Sequence, residues 1–482
     1  MGRRRRSEPG RAVDKAARKA TPAGLLREDD VSGADLEEAV ARIRDYASPY
    51  QELLVRSEQG EHLLQMVEGL TSDLERKSVE PIAIMHGINR RGLQRFVGEP
   101  GWDYRPLRDR QLQEGSAEIG VEDGAVIVDG TASPKKGEET VGVARQWCGR
   151  LGKVDNCVVG VHATYVGRDE SATLVASELY LPQEWAEDRE RRAAAYVPSG
   201  VEYQSRPQIA SGIVENLAAK LPFEWVMGDD EFGRAQDFRD GVAKLGKSYV
   251  LDVPENTVVR LVNKRGRVLR KSWNVSKLRR LRPVADWKGF FVRAGEKGPI
   301  RKRALMLPVV TRRDPEGGQA GRWVRETLVV IEELDGSEVW YCLCRAKPGT
   351  ETAELVRRAC QRHRVEEVFQ EAKGELGLDH FEVRAWHGWH HHMTLVQISH
   401  WFLVRERRRL GGKIRSPHHL QPDPDGDCPT AGPSTDPSAA GCSPQLPAAP
   451  QRSRPRRSVP RERHVPSYPK PAACWVTKQA AQ

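Results

Sequence analysis

The order of apolar runs between residues 124 and 253 constrains the fold more than any other feature of the sequence. Three β-rich runs come first, "AVIVD", "CVVGVHATYV" and "ATLVASELYL", and turn-forming residues separate them. A helical pattern then spans residues 209–220, and two further apolar strands, "FEWVMGDD" and "SYVLDV", flank a second helical pattern. Three adjacent hairpin-like strands followed by alternating helix and strand predict a mixed α/β sheet.

Helical periodicity dominates the region before this sheet, where apolar residues recur at three- and four-residue spacing. Within it, "IAIMHGINRRGLQRF" has the small and apolar positions of a helix-turn-helix. Gly87 would make the turn, and Asn89 would cap a second helix. That helix would present Arg90 and Arg91 to DNA. An ordinary helical hairpin with a solvated basic face explains the pattern equally well.

The charge of the chain indicates what it binds. Lys and Arg number 77 against 67 Asp and Glu, a formal net charge of +10, and their clustering favours nucleic acid as the partner. No run approaches the ~20 apolar residues of a membrane span, and the N-terminus lacks the apolar segment of a secretory signal. A cytoplasmic protein without a membrane partner is expected. The eight cysteines form no paired CxxC spacing, which favours reduced thiols.

Three acidic residues lie where a metal site would need them. Asp129 and Asp229 each end a predicted strand, and Glu366 lies on a later helical stretch. In a ribonuclease-H-like sheet the two strand ends are neighbours, and a helix packed across them brings a third carboxylate. Clustered carboxylates attract hard cations such as magnesium, and two ions about 4 Å apart can cleave a phosphodiester. Taken singly, a strand-terminal Asp is more often a cap or turn residue.

The spacing around Glu366 is a sharper signal. Arg362, Glu366 and Lys373 have the spacing R-x3-E-x6-K and would occupy one helical face. A carboxylate between two cations suits one metal contact and two phosphate contacts, whereas a solvated face with ion pairs is the alternative. Lys135 and Lys136 follow the first strand, where a phosphate backbone could pass.

Long blocks of the sequence resemble the DDE transposases of bacterial insertion sequences. "VIVDGTASPKKGEETVGVARQWCGRLGKVDNCVVGV" resembles the block around the first aspartate. "LYLPQEWAEDRERR", "WVMGDDEFGR" and "RVEEVFQEAKGELGLDHFEVRAWHGWHHHMTL" resemble later blocks, in order, over about residues 35–405. The resemblance implies an α/β ribonuclease-H-like mixed sheet flanked by helices, with a β-rich insertion. It also implies DNA strand cleavage and transfer with Mg²⁺ or Mn²⁺, and two ions are expected.

Carried over by position, the resemblance assigns Asp129, Asp229 and Glu366 to the metal-binding triad. It assigns Arg362 and Lys373 to phosphate contacts near the scissile bond.

Two neighbouring acids compete for these assignments. Asp229 is preferred to Asp230 because it stands four residues before Gly233, as in the D-x-x-F/Y-G block of the family. Glu366 is preferred to Glu367 because only Glu366 completes the Arg and Lys spacing.

The chain departs from the related Y-R-E-K signature at Ala359, where the signature has Tyr, so one phosphate contact is absent or comes from elsewhere.

The insertion of the family can present an aromatic residue that holds a flipped base. Trp273 or Trp287 would do this by stacking, although a packed Trp is the plainer explanation. His387 and His391 have the i,i+4 spacing of zinc ligands, but without nearby Cys partners DNA contact or packing is preferred.

The predicted organisation follows from these blocks and from composition. A helical DNA-binding region precedes the core, and the basic insertion carries Arg279 and Arg280. The Pro-rich composition of the C-terminal segment predicts a disordered tail. This composition resembles that of a gene translated out of frame. The predicted boundaries are a disordered basic tail at 1–30, the DNA-binding region at 31–110, the catalytic core at 111–252 and 351–410, the insertion at 253–350 and the tail at 411–482.

A cut-and-paste transposase is the expected function. It would bind the terminal inverted repeats of its element as a homodimer and join the cut ends to target DNA. The alternatives are a catalytically silent DNA-binding protein derived from a decayed or domesticated transposase, and a structure-selective nuclease on the same fold.

Overall fold

A computed structural model describes residues 33–295, 298–314, 321–334 and 336–411. The tails predicted at 1–30 and 411–482 lie outside these residues, apart from Gly411, which is helical. None of the helices in the described ranges combines the length and hydropathy that a membrane span requires.

Helices form the region before the sheet, as the periodicity predicts. They are α1 (Gly33–Gln51), α2 (Ser57–Thr71), α3 (Val79–Met85), α4 (Arg90–Gly98) and α5 (Arg105–Ile119). The turn between α3 and α4 has the predicted chemistry. Gly87 takes a φ of 64°, which a residue without Cβ adopts at little cost. Asn89 caps α4, since its Oδ1 accepts from the Arg91 backbone N–H at 2.9 Å.

The described strands form one 12-stranded mixed sheet. They are β1 (Ala125–Pro134), β2 (Ala144–Cys148), β3 (Lys153–Val166), β4 (Ala172–Leu179), β5 (Trp225–Gly228), β6 (Ser248–Asp252), β7 (Val258–Val262), β8 (Val268–Asn274), β9 (Lys288–Gly295), β10 (Gly298–Arg313), β11 (Arg322–Glu333) and β12 (Val339–Arg345). Their order is β2-β3-β1-β5-β6-β12-β11-β10-β7-β8, with β4 paired to β3 and β9 to β10. Strands β1, β5 and β6 are parallel, and the other pairs are antiparallel.

The remaining helices flank this sheet. They are α6 (Gln183–Glu187), α7 (Arg189–Ala194), α8 (Arg206–Ala218), α9 (Asp230–Arg234), α10 (Gln236–Lys244), α11 (Val275–Leu281), α12 (Thr352–Gln361), α13 (Arg364–Gly374) and α14 (Trp386–Gly411). Trp389 and Trp401 of α14 are fully buried in the main core. A mixed sheet covered by helices confirms the predicted ribonuclease-H-like α/β fold.

Strand β1 does not end at Asp129, so that prediction is wrong. Strand β3 pairs with β1 along its whole length and holds it extended to Pro134. Only the parallel pairing with β5 stops here, at Val128 and Gly228. Beyond this point no strand in the described residues pairs with β1 on the β5 side. We call this open edge, from Asp129 onward, the β1–β5 notch.

The helix predicted to carry Arg362, Glu366 and Lys373 is interrupted. Helix α12 ends at Gln361, α13 begins at Arg364, and Arg362 lies in the short turn between them. The residues from 253 to 350 supply β7 to β12 and α11. Their sheet continues the core sheet because β12 pairs with β6, and a separate apolar cluster lies beneath them.

Candidate active site

Three acids lie along the carboxyl edge of the parallel strands. Asp129 lies one residue beyond the pairing of β1 with β5, Asp229 follows β5, and Asp252 is the last residue of β6. The carboxyl ends of parallel strands in an α/β sheet form the crevice where ligands bind. Asp252 was missed by the sequence reasoning, and the signal that could have found it was its place directly after the apolar run "SYVL".

Glycine at position 233 allows helix α9 to approach the end of strand β6 closely. A Cβ on Gly233 would lie 1.8 Å from the Asp252 carbonyl oxygen, closer than any side chain can come. Helix α9 can therefore lie directly against β6 and hold Asp229 beside Asp252. This is the physical reason for the glycine four residues after Asp229.

Burial and mutual repulsion govern the ionisation of these acids. Burial, followed by the charge of Asp229, raises the pKa of Asp129 to about 7, although Arg362 and the Gly130 backbone N–H oppose this rise. Burial is also the largest cause of the raised pKa of Asp229 and of Asp252. Desolvated carboxylates that repel one another are stabilised by a cation placed among them.

Of the two adjacent acids, Asp229 is the one whose charge acts strongly on Asp129. Asp229 Oδ1 accepts from the Glu231 backbone N–H at 3.0 Å, so this residue is also the cap of α9. Asp230 forms an exposed ion pair with Arg234, one turn further along the helix. Although Asp229 accepts this capping hydrogen bond, the charge of its carboxylate still raises the pKa of Asp129.

Helix α13 and the turn before it bring Glu366 to the same edge of the sheet. Arg362 lies between two acids, with Nε 2.9 Å from Asp252 Oδ2 and Nη2 3.4 Å from Glu366 Oε1. The Glu366 side chain is 63% exposed. Glu367 instead pairs with His363, at 3.2 Å, and with Arg364. The i,i+4 relation of Arg362 to Glu366 is thus retained although the helix is interrupted.

Lys373 of α13 contacts strand β1. Its Nζ donates to Thr131 Oγ1 at 2.5 Å. Thr131 lies two residues beyond Asp129 and therefore on the same face of β1. Burial lowers the pKa of Lys373.

The two lysines after Asp129 differ in their surroundings. Lys135 Nζ donates to the Phe381 carbonyl oxygen at 2.6 Å and lies 3.3 Å from the centre of the Phe381 ring. Burial lowers the pKa of Lys135 to about 8. Lys136 is exposed. Of the two, Lys136 is the one whose side chain is open to a passing phosphate backbone.

The two arginines predicted to contact DNA from the insertion also differ in their surroundings. Arg279 Nε forms an ion pair at 2.8 Å with Glu332 Oε2, and the Glu332 side chain is 2% exposed. Arg303 contacts the same carboxylate. Arg280 is exposed. Arg279 therefore neutralises a buried acid inside the insertion, which its sequence context did not reveal.

The α4 arginines lie at the surface. Arg91 is exposed, and Arg90 is exposed and ion-paired with Glu80. In the insertion, Trp273 and Trp287 are both partly buried against the separate apolar cluster that lies beneath the insertion strands. Lys271 lies 4.0 Å from the centre of the Trp273 ring.

The α14 histidines bind backbone oxygens. His387 Nε2 lies 2.6 Å from the Gly98 carbonyl oxygen, and the two ring nitrogens of His391 each lie 3.1 Å from a carbonyl oxygen, of Val97 and of Trp102. These contacts connect α14 to the end of α4. They favour packing over a zinc site.

The donor set at the carboxyl edge suits a hard divalent cation. In the described part of the chain no three His, Cys, Asp or Glu side chains lie close enough to enclose an ion. Magnesium, however, commonly takes one or two carboxylates together with waters and phosphate oxygens. Asp129 and Asp229 would provide that pair, and Glu366 would join them by leaving Arg362.

Comparison with known proteins indicates the family of the chain. Residues 49–288 match the family model described as DDE superfamily endonuclease, and residues 205–402 match the model described as Transposase DDE domain. The chain is 29% identical over 223 residues to a protein of Microchaete diplosiphon named "Probable transposase for insertion sequence element IS701". The match covers 46% of this chain and 56% of that relative, so the chain spans about half the length of the curated relative it matches.

Proposed function

Because the chain belongs to the DDE superfamily of endonucleases, we propose that it is the transposase of an insertion element. It binds the terminal inverted repeats of its element, cleaves the DNA strand there and transfers the end to target DNA. The observation that carries the proposal is the placement of Asp129 and Asp229 directly after the paired ends of the neighbouring parallel strands β1 and β5, with Glu366 brought to the same edge by α13.

Asp129, Asp229 and Glu366 would hold two Mg²⁺ or Mn²⁺ ions. When bound, such ions supply activation of a water or 3′-hydroxyl and stabilisation of the leaving oxygen. The burial of Asp129 on a long paired strand supports a ligand whose position does not change. Glu366 is exposed and paired only with Arg362 among the described residues, so it can turn toward its neighbours at little cost.

Arg362 and Lys373 position the DNA strand. Arg362 keeps its charge at every relevant pH and presents a planar guanidinium that matches phosphate geometry. Lys373 lies on the same face of β1 as Asp129 and can exchange its Thr131 contact for a phosphate oxygen.

Recognition and assembly belong to other parts of the chain. Helix α4, with Arg91 exposed at its start, reads the repeats, and exposed basic residues of the insertion such as Arg280 contact the backbone. Two copies bind two element ends as a homodimer, and the protein acts in the bacterial cytoplasm.

The test is cleavage of a duplex that carries an inverted repeat flanking the gene, by the purified full-length chain with Mg²⁺. The wild type should release a 3′-hydroxyl at the repeat end. Asp129→Asn, Asp229→Asn and Glu366→Gln should abolish cleavage and retain binding, whereas the matched controls Asp230→Asn and Glu367→Gln should still cleave. Specific binding without cleavage by the wild type would favour the catalytically silent DNA-binding protein instead.

A further inference from the structure

An arginine outside the predicted site borders strand β1. Arg206 is the first residue of α8, which packs on β1 and β3. One Nη atom of Arg206 lies 3.9 Å from the position that a Cβ of Gly130 would occupy. Gly130 directly follows Asp129, so the guanidinium stands beside the first residues of the notch.

Arg206 and Lys373 approach β1 from opposite faces. Side chains alternate along a strand, so Asp129 and Thr131 face α13, where Lys373 contacts Thr131. Gly130 faces the other side, toward Arg206. Because β5 ends at Gly228, no described strand closes this side of β1. A DNA strand laid across the notch can therefore be contacted from both faces.

The contacts of Arg206 orient the side chain and leave donors available. Its Nε pairs with Glu231 Oε1 at 2.8 Å, and Glu231 lies on α9 two residues after Asp229. Its Cζ is 5.7 Å from the centre of the Tyr180 ring. Within the described ranges this guanidinium has a single polar contact, the one with Glu231. A third of the Arg206 side chain is exposed. Both Nη groups can therefore donate to a ligand.

A cation on this side would favour the approach of DNA. Glu231, Asp230 and Asp229 follow one another at the start of α9, and a phosphodiester that approached them without a cation would be repelled. Arg362 and Lys373 neutralise the side formed by α12 and α13. Among the described residues, Arg206 is the cation that pairs with an acid of this run and also borders β1.

We propose that Arg206 binds a phosphate of the DNA strand on the α8 side of the β1–β5 notch, opposite Lys373, and that Glu231 holds its guanidinium in place. The proposal rests on the proposed function and adds a DNA-contacting residue to the site. A guanidinium with two free Nη groups can bind a phosphate through two parallel hydrogen bonds.

The test pairs protein variants with uncharged phosphates. Repeat-end duplexes carry a single methylphosphonate at the scissile position or at one neighbouring position, and the full-length chain is titrated against each. Arg206→Ala should weaken binding to unmodified DNA about tenfold or more, as expected for a charge-assisted hydrogen bond. At one position the methylphosphonate should weaken wild-type binding and leave Arg206→Ala unaffected. Cleavage rates, measured in parallel, should show the same pattern.

Several controls separate this role from a structural one. Lys373→Ala should become insensitive to the methylphosphonate at a different position. Arg234→Ala, on the same helix as Glu231, should remain sensitive to the methylphosphonate at every position that affects the wild type. Glu231→Gln retains an oxygen that can accept from Arg206 Nε, so it should keep the sensitivity assigned to Arg206. A purely structural ion pair instead predicts that Arg206→Ala stays sensitive to the methylphosphonate at every position. Arg206→Gln carries the same test if the alanine variant does not fold.

The outcomes distinguish the two proposals. If Arg206→Ala stays as sensitive as the wild type at every position, the phosphate contact is overturned. Because the affinity measurement requires no cleavage, a wild type that binds the repeat without cutting it would contradict the proposed function, and the affinities would still decide the role of Arg206.

Discussion

Arg362 and Asp252 form an ion pair of 2.9 Å that joins the end of helix α12 to the end of strand β6. Both side chains are about four-fifths buried, at 21% and 19% exposure. The pair holds the Arg362 guanidinium beside Asp129 and Asp229. The positive charge of Arg362 opposes the rise in the pKa of both acids. Asp252 is therefore the residue that positions Arg362.

Asp252→Asn should slow cleavage without abolishing it. The amide keeps the shape of the side chain and loses the charge that orients Arg362, so a loss of about 10- to 100-fold is expected, typical of residues that orient a functional group. Single-turnover cleavage measures the effect. A variant as fast as the wild type would mean that Arg362 is positioned without Asp252.

Asp129→Asn should stabilise the protein without metal at alkaline pH. The pKa of Asp129 is about 7 in the folded chain, above the usual value of 3.8, so wild-type stability falls as pH rises from about 4 through 7. The variant should be more stable by up to about 4 kcal/mol at pH 8 and equal near pH 4. Urea unfolding at both pH values measures this.

The same comparison with Mg²⁺ tests the metal site. A cation that binds the folded wild type stabilises it. Mg²⁺ should therefore reduce the difference in unfolding free energy between the wild type and Asp129→Asn. An unchanged gap would argue against Asp129 as a ligand.

His391 should make the fold sensitive to acid. Burial lowers its pKa to about 4, against an ordinary 6.5, so the unfolded chain takes up a proton first and stability is lost as pH falls from about 6.5 to 4. His391→Gln should reduce the slope of unfolding free energy against pH by up to about 1.4 kcal/mol per unit. The difference between the two proteins cancels the carboxyl contributions that they share, and equal slopes would refute the role of His391.

Arg91 and Arg280 should affect DNA binding differently. Arg280→Ala should weaken binding to repeat and random DNA by the same factor and lower the salt slope by about 1. Arg91→Ala should mainly reduce the preference for the repeat. Salt-dependent titrations on both duplexes measure this division, and an equal loss on both from Arg91→Ala would contradict it.

Arg279 should behave as a structural residue. Arg279→Ala leaves Glu332 buried with one cation fewer, so it should lower the stability of the insertion, while Arg280→Ala should not. Thermal unfolding of the two variants compares neighbouring arginines on the same short helix.

The sequence by itself determined the features that depend on neighbours along the chain. The strand and helix order, the Gly87 turn, the Asn89 cap and the apolar run ahead of Asp229 all follow from local chemistry, because backbone preferences and capping act within a few residues. The block resemblance placed the candidate acids in order along the chain for the same reason, since it too is a property of residue order.

Only the tertiary structure decided which of two adjacent, chemically similar residues faces a partner. Strand β1 continues past Asp129 because β3, more than twenty residues away, pairs with it. Lys135 is covered by Phe381 while Lys136 is exposed, and Asp252 and Arg206 border the site through contacts between distant elements. Burial, ion pairing and pKa depend on what packs around a side chain, and that packing is set by pairings between residues that are far apart in the sequence.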